Sequence, residues 1–207
     1  MNIKKYPAKE EWKEIIARPH LDVSQLNATV KGVLDDVKLN GDDAVKRYEE
    51  MFDKVKLSSL VVSKDELDEA EHITSDELKD AITLAHDNIE KFHSAQKFHG
   101  IKVETAKGVN CWQKSVPIQK VGLYIPGGTA PLFSTVLMLA TPAKIAGCKE
   151  IVLCTPPDKN GKVNPAILVA ARTAGVNKIF KAGGVQAIAA MAYGTESVPK
   201  AYKIFGP

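Results

Sequence analysis

Four short apolar runs, beginning at residues 121, 151, 178 and 203, constrain the fold of this chain more than any other feature. Apolar segments with helical spacing fill the intervals between them, at 131–146, 164–174 and 185–193. Strand, helix, strand at this period is typical of parallel βαβ units with right-handed crossovers. The runs are almost wholly apolar, as strands are when helices cover both faces of a sheet. We therefore predict an α/β fold with a doubly wound parallel (Rossmann-like) sheet of at least four strands over 121–207.

The first 120 residues have a different pattern of apolar and charged residues, which predicts a mainly helical region before the sheet. Apolar residues recur at helical spacing from Val23 to Val37, and Asn40-Gly41 predicts the end of that helix. Asp42 or Asp43 is then expected to cap the next helix.

Two more helix starts are predicted by capping boxes of the S/T-x-x-E type, at 63–66 and 74–77. The second helix carries an apolar stripe of four residues, Leu78, Ile82, Ile89 and Phe92. We expect this stripe to be exposed or to rest on another chain, because the N-terminal region offers little sheet to cover it. The sheet it does offer is a short strand at 60–62 and a hairpin at 101–112.

The composition is that of a folded globular protein, with 44% hydrophobic and 26% charged residues. No run approaches about 18 uncharged apolar residues, so no membrane span is predicted. Charges interrupt the first 20 residues, which excludes a secretory signal. The cysteines, Cys111, Cys148 and Cys154, lack C-x-x-C spacing. A structural zinc site or disulfide framework is therefore not expected, and a reducing cytoplasm is the predicted location.

The net charge of +3 conceals an asymmetry between the two regions. Residues 1–110 carry 17 Lys and Arg against 22 Asp and Glu, whereas 111–207 carry 11 basic and 3 acidic residues. Basic residues attract nucleic acid or a phosphorylated small molecule. The lysines here stand singly among apolar segments without interleaved aromatic residues, so we predict no nucleic-acid partner.

Two glycine turns follow predicted strands and mark the candidate ligand site. The segment Tyr124-Ile-Pro-Gly-Gly-Thr-Ala-Pro131 ends one strand, and Gly183-Gly184 ends another, with Gln186 opening the next helix. Glycines allow a ligand to approach the backbone, and a helix amino end offers N–H groups to an anion. Ligands of open parallel sheets bind at this edge. Two alternatives remain: tight βα turns without a ligand, and Gln186 as a cap or surface residue.

The residues alone provide no catalytic or metal constellation. The G-x-G-x-x-G fingerprint is absent, as is an acid at the end of the second strand. The histidines all lie in the charged helical region without H-E-x-x-H spacing, at His20, His72, His86, His93 and His99. We therefore assign no catalytic residue and no metal ligand.

Residues 121–157 and 183–207 closely resemble histidinol dehydrogenase, as does the N-terminal region more loosely. The resemblance covers the whole chain but only about the first half of a usual family member. It implies oxidation of L-histidinol to L-histidine through an aldehyde, with two NAD⁺ and a zinc ion, by a homodimer in histidine biosynthesis. It also implies NAD contacts at Tyr124 and Gln186. A third contact, an asparagine, would fall two residues past Pro207.

The resemblance further implies that the family's zinc ligands and its Glu-His catalytic pair lie beyond this sequence. We therefore expect residues 1–120 to belong to an incomplete α/β domain and 121–207 to form an NAD-binding domain truncated at its C-terminal end. This chain alone is expected to be an inactive fragment. Two alternatives remain: a related NAD-dependent dehydrogenase of another small amino or sulfonated alcohol, and a non-catalytic nucleotide-binding remnant.

Overall fold

The structure, a computed structural model, describes residues 3–18, 24–128 and 130–207. Three residues used in the sequence analysis, His20, Val23 and Thr129, lie outside these ranges.

The N-terminal region is helical, as the sequence predicts. Helix α1 is Lys9–Ile15, α2 is Ser24–Tyr48, α3 is Lys64–Ile73 and α4 is Asp76–Ser94. A π-helical turn, Glu49–Asp53, follows α2 directly. The expected hairpin is present as the antiparallel strands β1, Lys102–Ala106, and β2, Val109–Trp112, and both strands are exposed along their length.

The C-terminal region contains a four-stranded parallel sheet, which confirms the predicted fold class. Its elements in chain order are β3 (Lys120–Tyr124), α5 (Phe133–Ile145), β4 (Glu150–Thr155), α6 (Pro165–Thr173), β5 (Lys178–Lys181), α7 (Gly184–Tyr193) and β6 (Lys203–Phe205). The strand order is β5-β4-β3-β6, and every neighbouring pair is parallel. The order reverses at β3, so the carboxyl ends of β3 and β6 flank a topological switch point.

The strands alternate their side chains between two buried cores. Leu123, Leu153 and Ile179 face one core together with α5 and α6, and α3 and α4 contribute to it. Val152, Cys154 and Phe180 face the second core, which contains α7 and residues of α2. Both cores therefore combine residues from 1–120 with residues from 121–207. The division at residue 120 stays a prediction.

The expected exposure of the α4 stripe is wrong for most of its length. Ile82 is fully buried, and Leu78 and Ile89 pack against the core that contains α5. Only Phe92 of the four is largely exposed, at 64%. The stripe packs against α5, which in turn covers the parallel sheet. The sequence of the N-terminal region by itself does not reveal this partner.

One of the two predicted capping boxes is correct. Ser63 caps α3 and accepts from the Glu66 N–H, while the Glu66 carboxylate accepts from the Ser63 N–H. The box starting at Thr74 is wrong, because Thr74 ends α3 and its hydroxyl donates to the Ala70 carbonyl. Ser75 caps α4 instead, accepting from Leu78, which has no carboxylate to return.

The helix break expected at Asn40-Gly41 is present as a kink at Gly41, where φ is +50°. Such a conformation favours glycine. The Asp42 carboxylate accepts from Thr195 Oγ1, Ser197 Oγ and the Ser197 N–H. It therefore ties the kink to the segment between α7 and β6, in place of the predicted capping role. Asp43 is exposed.

The strand expected at 60–62 is reduced to a single antiparallel bridge between Val61 and Phe180. The Val62 N–H donates to Ile179 and the Lys181 N–H to Leu60, so the segment borders β5 without extending the sheet regularly.

Three ion pairs account for part of the charge asymmetry. Acidic residues of α3 meet basic residues of the C-terminal region, in the pairs Asp68–Arg172, Glu69–Lys162 and Glu66–Lys181. The negative N-terminal region and the positive C-terminal region thus face each other within one chain.

Within the described ranges, each helix is either too short or too polar to cross a lipid bilayer.

Candidate functional site

A cleft of about 750 Å³ lies at the carboxyl edge of the parallel sheet. It is bordered by Tyr124 at the end of β3 and Pro126 after it, by Thr155 at the end of β4 and Pro156 after it, and by Gly184 at the start of α7. Residues of α3 and the start of α6 form the opposite wall. This is the edge at which ligands bind in open α/β sheets.

The glycines of the first turn lie close against the loop after β4. A Cβ built on Gly127 would lie 2.6 Å from Pro156 Cγ, whereas one built on Gly128 meets nothing within 4 Å. Gly127 is therefore required by packing, while Gly128 leaves open space beside the cleft. The turn has room for a ligand against its backbone.

Tyr124 reaches across the cleft to the second glycine turn. Its hydroxyl oxygen accepts a hydrogen bond from the Gly184 N–H at 3.0 Å. Because that bond uses a lone pair, the hydroxyl proton remains available to donate to a ligand acceptor. Burial raises the pKa of Tyr124 above its ordinary value, so the hydroxyl remains protonated.

Gln186 lies two residues further along, in the first turn of α7, and is 1% exposed. The surface alternative for this residue is therefore wrong. Its Nε2 donates to the Glu49 carboxylate at 2.8 Å, and its Oε1 is buried without a hydrogen-bond partner in the described structure. A buried acceptor without a partner is rare and calls for an explanation, of which an absent ligand is one.

The structure thus brings the two predicted site residues to one edge of the sheet, although 62 positions separate Tyr124 from Gln186 in the sequence. Their connection is the Gly183-Gly184 turn, which Tyr124 contacts from the side of β3 and which leads into the helix of Gln186.

Glu49 is a site residue that the sequence analysis missed. It belongs to the π-helical turn after α2 and is fully buried. The same oxygen that accepts from Gln186 also accepts from the Gly183 N–H at 2.8 Å. Short π-helical segments occur frequently at functional sites, because the wider turn redirects side chains. No motif in the sequence marks this turn.

Asp53 ends the π-helical turn, lines the cleft and lies beside Glu49. Burial raises the pKa of Glu49 to about 7, although hydrogen bonds from Gly183 and Gln186 oppose the shift. Burial also raises the pKa of Asp53. When one proton is present, the two carboxyl groups can share it, and the deeper Glu49 is the group that holds it.

Three charged residues of the opposite wall, Glu66, Glu69 and Lys162, form ion pairs, and Lys181, the partner of Glu66, lies behind the lining. Lys181 and Glu66 form an ion pair at 2.5 Å, and both side chains are mostly buried. Burial would raise the pKa of Glu66, but hydrogen bonds from Lys181 and Ser63 outweigh it and lower the pKa. Lys162 pairs with Glu69 at the rim.

The described parts of the chain contain a single group of metal-ligating side chains, His86, Asp87 and Glu90 on α4, and it does not line the cleft. Asp87 and Glu90 are exposed, and exposed acidic groups of this kind are common without a metal. We assign no metal ligand there.

Comparisons with known proteins all give one family. The histidinol dehydrogenase family model matches residues 16–207. Over its 207 residues the chain is 68% identical to the histidinol dehydrogenase of Bacteroides thetaiotaomicron, of which it covers 48%. Over 199 residues it is 53% identical to that of Escherichia coli, with 96% of this chain and 45% of that protein covered.

A solved structure agrees with these sequence relatives. The crystal structure of histidinol dehydrogenase from Elizabethkingia anophelis matches with a TM-score of 0.93 and 52% sequence identity, over 97% of this chain and 46% of that chain. The chain spans about half the length of the curated relatives it matches.

Proposed function

This chain belongs to the histidinol dehydrogenase family, and from that premise we propose that its protein catalyses the NAD-dependent oxidation of L-histidinol to L-histidine through histidinal. This would place it at the end of histidine biosynthesis. The residues described here would provide the part of the enzyme that holds NAD. The observation that carries this proposal is the Tyr124–Gly184 contact at the carboxyl edge of the sheet, with an open cleft beside it.

The residues at the cleft fit a dinucleotide. Bound NAD would supply the acceptor for the hydride that leaves the alcohol carbon. The Tyr124 hydroxyl would donate its free proton to a phosphate or ribose oxygen. The open backbone at Gly128 and the amino end of α7 would face the pyrophosphate. Gln186 Oε1 would accept from a donor of the ligand after a small local opening.

Zinc, which the family resemblance also implies, does not fit the described residues of this cleft. The lining contains carboxylates but neither histidine nor cysteine. We therefore propose that the metal ligands and the catalytic base come from residues outside residues 1–207.

A polypeptide limited to residues 1–207 should accordingly be inactive. We expect it to bind NAD⁺ weakly, with a dissociation constant on the order of millimolar. We expect no oxidation of histidinol with or without zinc, since loss of general-base assistance alone costs about 10²–10⁴ in rate. NADH formation by the purified polypeptide would contradict this.

We further propose that the protein is a homodimer in the cytoplasm, with L-histidinol as its substrate. The free cysteines, of which Cys154 is buried and Cys111 is exposed, are compatible with a reducing compartment. Sedimentation of the full-length protein tests the oligomeric state.

The proposed NAD site is tested by substitution of Tyr124 with phenylalanine in the full-length protein. Tyr124→Phe removes one hydroxyl, and we expect the affinity for NAD⁺ to fall about three- to tenfold, the value of one hydrogen bond. Tyr202→Phe is the matched control, because Tyr202 is 63% exposed and precedes β6 at the opposite edge of the sheet. Isothermal titration calorimetry measures both. Equal affinities for wild type and Tyr124→Phe would overturn the assignment.

A further inference from the structure

Glu49 is a fully buried carboxyl group beneath the amino end of α7. One of its oxygens, Oε1, accepts from both Gly183 N and Gln186 Nε2. The other, Oε2, is buried and has no hydrogen-bond partner among the described residues. An ionised carboxylate in this position leaves Oε2 as an unsatisfied acceptor. A protonated carboxyl group instead has an O–H at Oε2 that can donate to a neighbouring acceptor.

The groups that face Glu49 are acidic or neutral. Asp53 lies on the same turn, Tyr124 at the end of β3 and Cys154 on β4. On α7, the contacts of Glu49 are the amide groups of Gly183 and Gln186. No salt bridge to Glu49 is found within the described residues. The protonated Glu49 would keep both hydrogen bonds at Oε1 and donate from Oε2 to Asp53.

We propose that Glu49 is a positioning residue of the dinucleotide site and that it takes up a proton when the pyrophosphate binds at the amino end of α7. This inference rests on the function proposed above. Glu49 fixes the Gly183 backbone and the Gln186 amide in either protonation state. Its negative charge and that of the pyrophosphate would otherwise share the positive end of one helix.

Uptake of a proton removes this repulsion without changing the contacts of Glu49. Binding of an anion should therefore raise the pKa of Glu49, and by linkage the affinity for the anion should rise as Glu49 becomes protonated. Before any ligand binds, burial as the largest cause, with a smaller contribution from Asp53, already raises that pKa to about 7. Burial also raises the pKa of Asp53, Tyr124 and Cys154. The Tyr124 hydroxyl and the Cys154 thiol ionise only at alkaline pH, so both stay protonated throughout the neutral range.

The experiment titrates NAD⁺ into the full-length protein at about pH 6 and about pH 8.5. Each titration is repeated in two buffers with different ionisation enthalpies, so that protons taken up are counted. We expect at least about threefold tighter binding at the lower pH, from repulsion of two anions at a partly buried site. We also expect net proton uptake in a third titration at about pH 7.5, close to the pKa of Glu49, where a change in that pKa alters its protonation most.

Glu49→Gln removes the negative charge of residue 49 but can keep its hydrogen bonds. The amide can accept from Gly183 and Gln186 as the acid does, and it is neutral at every pH. We expect this variant to bind with an affinity independent of pH and without proton uptake. Glu50→Gln is the matched control, because Glu50 lies on the same π-helical turn but is exposed. It should keep the wild-type pH dependence.

Each possible result either supports or overturns the proposed role of Glu49. Equal wild-type affinity at both pH values without proton uptake overturns the role of Glu49 and leaves the NAD site standing. Proton uptake that persists in Glu49→Gln does the same. A wild-type protein that binds no NAD⁺ at either pH overturns the proposed function and this assignment with it. Should Glu49→Gln fail to fold, wild-type binding without proton uptake still overturns the role of Glu49, as does uptake that is lost in Asp53→Asn, whereas uptake that Asp53→Asn retains supports it.

Discussion

At the scale of single residues, Glu49 also couples the free energy of unfolding to pH. Its pKa is about 7 in the folded protein and 4.5 as an unperturbed group. Because the folded value is the higher one, its contribution is fully present below about pH 4.5 and is lost as pH rises through about 7. The difference corresponds to about 3 kcal/mol. Because Glu49→Gln cannot ionise at this position, we expect its free energy of unfolding not to show this decrease as pH rises.

Thermal melting of both proteins between about pH 5 and about pH 8.5 measures the effect. The melting temperature of Glu49→Gln minus that of wild type should increase with pH. Glu50→Gln, an exposed neighbour, should follow the wild type. A difference that stays constant over this range would show that Glu49 does not titrate there.

The residues of the site differ in how far the sequence reveals them. Tyr124 and Gln186 follow strands of a recognisable period, and parallel strands end at one edge, so their proximity is predictable. Glu49 and Asp53 lie in a charged helical region, and Glu49 is 134 positions before Gly183, to which it bonds. Acidic residues there are ordinary on a solvated helix face. Their burial depends on a π-helical turn and on how α2 packs against α7, which local patterns do not encode.

At the scale of elements, the junction of β5 and α7 depends on close packing against the loop after β4. A Cβ built on Gly183 would lie 2.8 Å from Pro156 Cβ and 3.3 Å from Asp53 Oδ2. The φ of Gly183 is −107°, so the restriction is space and not backbone strain. We expect Gly183→Ala to reduce the free energy of unfolding by about 1–3 kcal/mol, as overpacking does.

Gly128→Ala is the control for that substitution, because a Cβ at Gly128 meets nothing within 4 Å. Its effect on stability should lie within about 0.5 kcal/mol. Urea denaturation of the full-length protein compares the two variants. Equal stabilities would show that Pro156 moves aside freely and that the packing of this turn is loose.

Local sequence patterns predict where most strands and helices begin, and the exceptions have physical reasons. Strands β3, β4, β5 and β6 begin within one residue of the apolar runs. Burial on both faces explains the apolar sequence of β3, β4 and most of β5, whereas the edge strand β6 is largely exposed. The cap of α4 is misplaced by one residue, since Thr74 and Ser75 are chemically equivalent caps and the end of α3 decides between them. In the segment at 60–62, Leu60 and Val62 pack in the cores, whereas Val61 is exposed and makes the single bridge.

At the scale of the whole molecule, the two regions predicted from the sequence cover each other. Helices α3 and α4 pack outside α5 and α6 on one face of the sheet, and α2 packs on α7 on the other. The opposite charges of the two regions meet in ion pairs along α3. The sequence shows the charge asymmetry but not its pairing, because the pairing requires the tertiary arrangement.

This arrangement predicts that residues 121–207 do not fold without the N-terminal helices. Side chains from the N-terminal region are fully or almost fully buried in the two cores, among them Val37, Val45, Leu60 and Ile82. Burying each such side chain contributes about 1.5–3 kcal/mol. Their loss together approaches the whole stability of a typical domain, about 5–15 kcal/mol. The polypeptide 121–207 should therefore show no cooperative unfolding transition by circular dichroism, whereas the polypeptide 1–207 should show one. A cooperative transition in 121–207 alone would mean that the parallel sheet needs only α5, α6 and α7, and that the helices of the N-terminal region are additions to a complete fold.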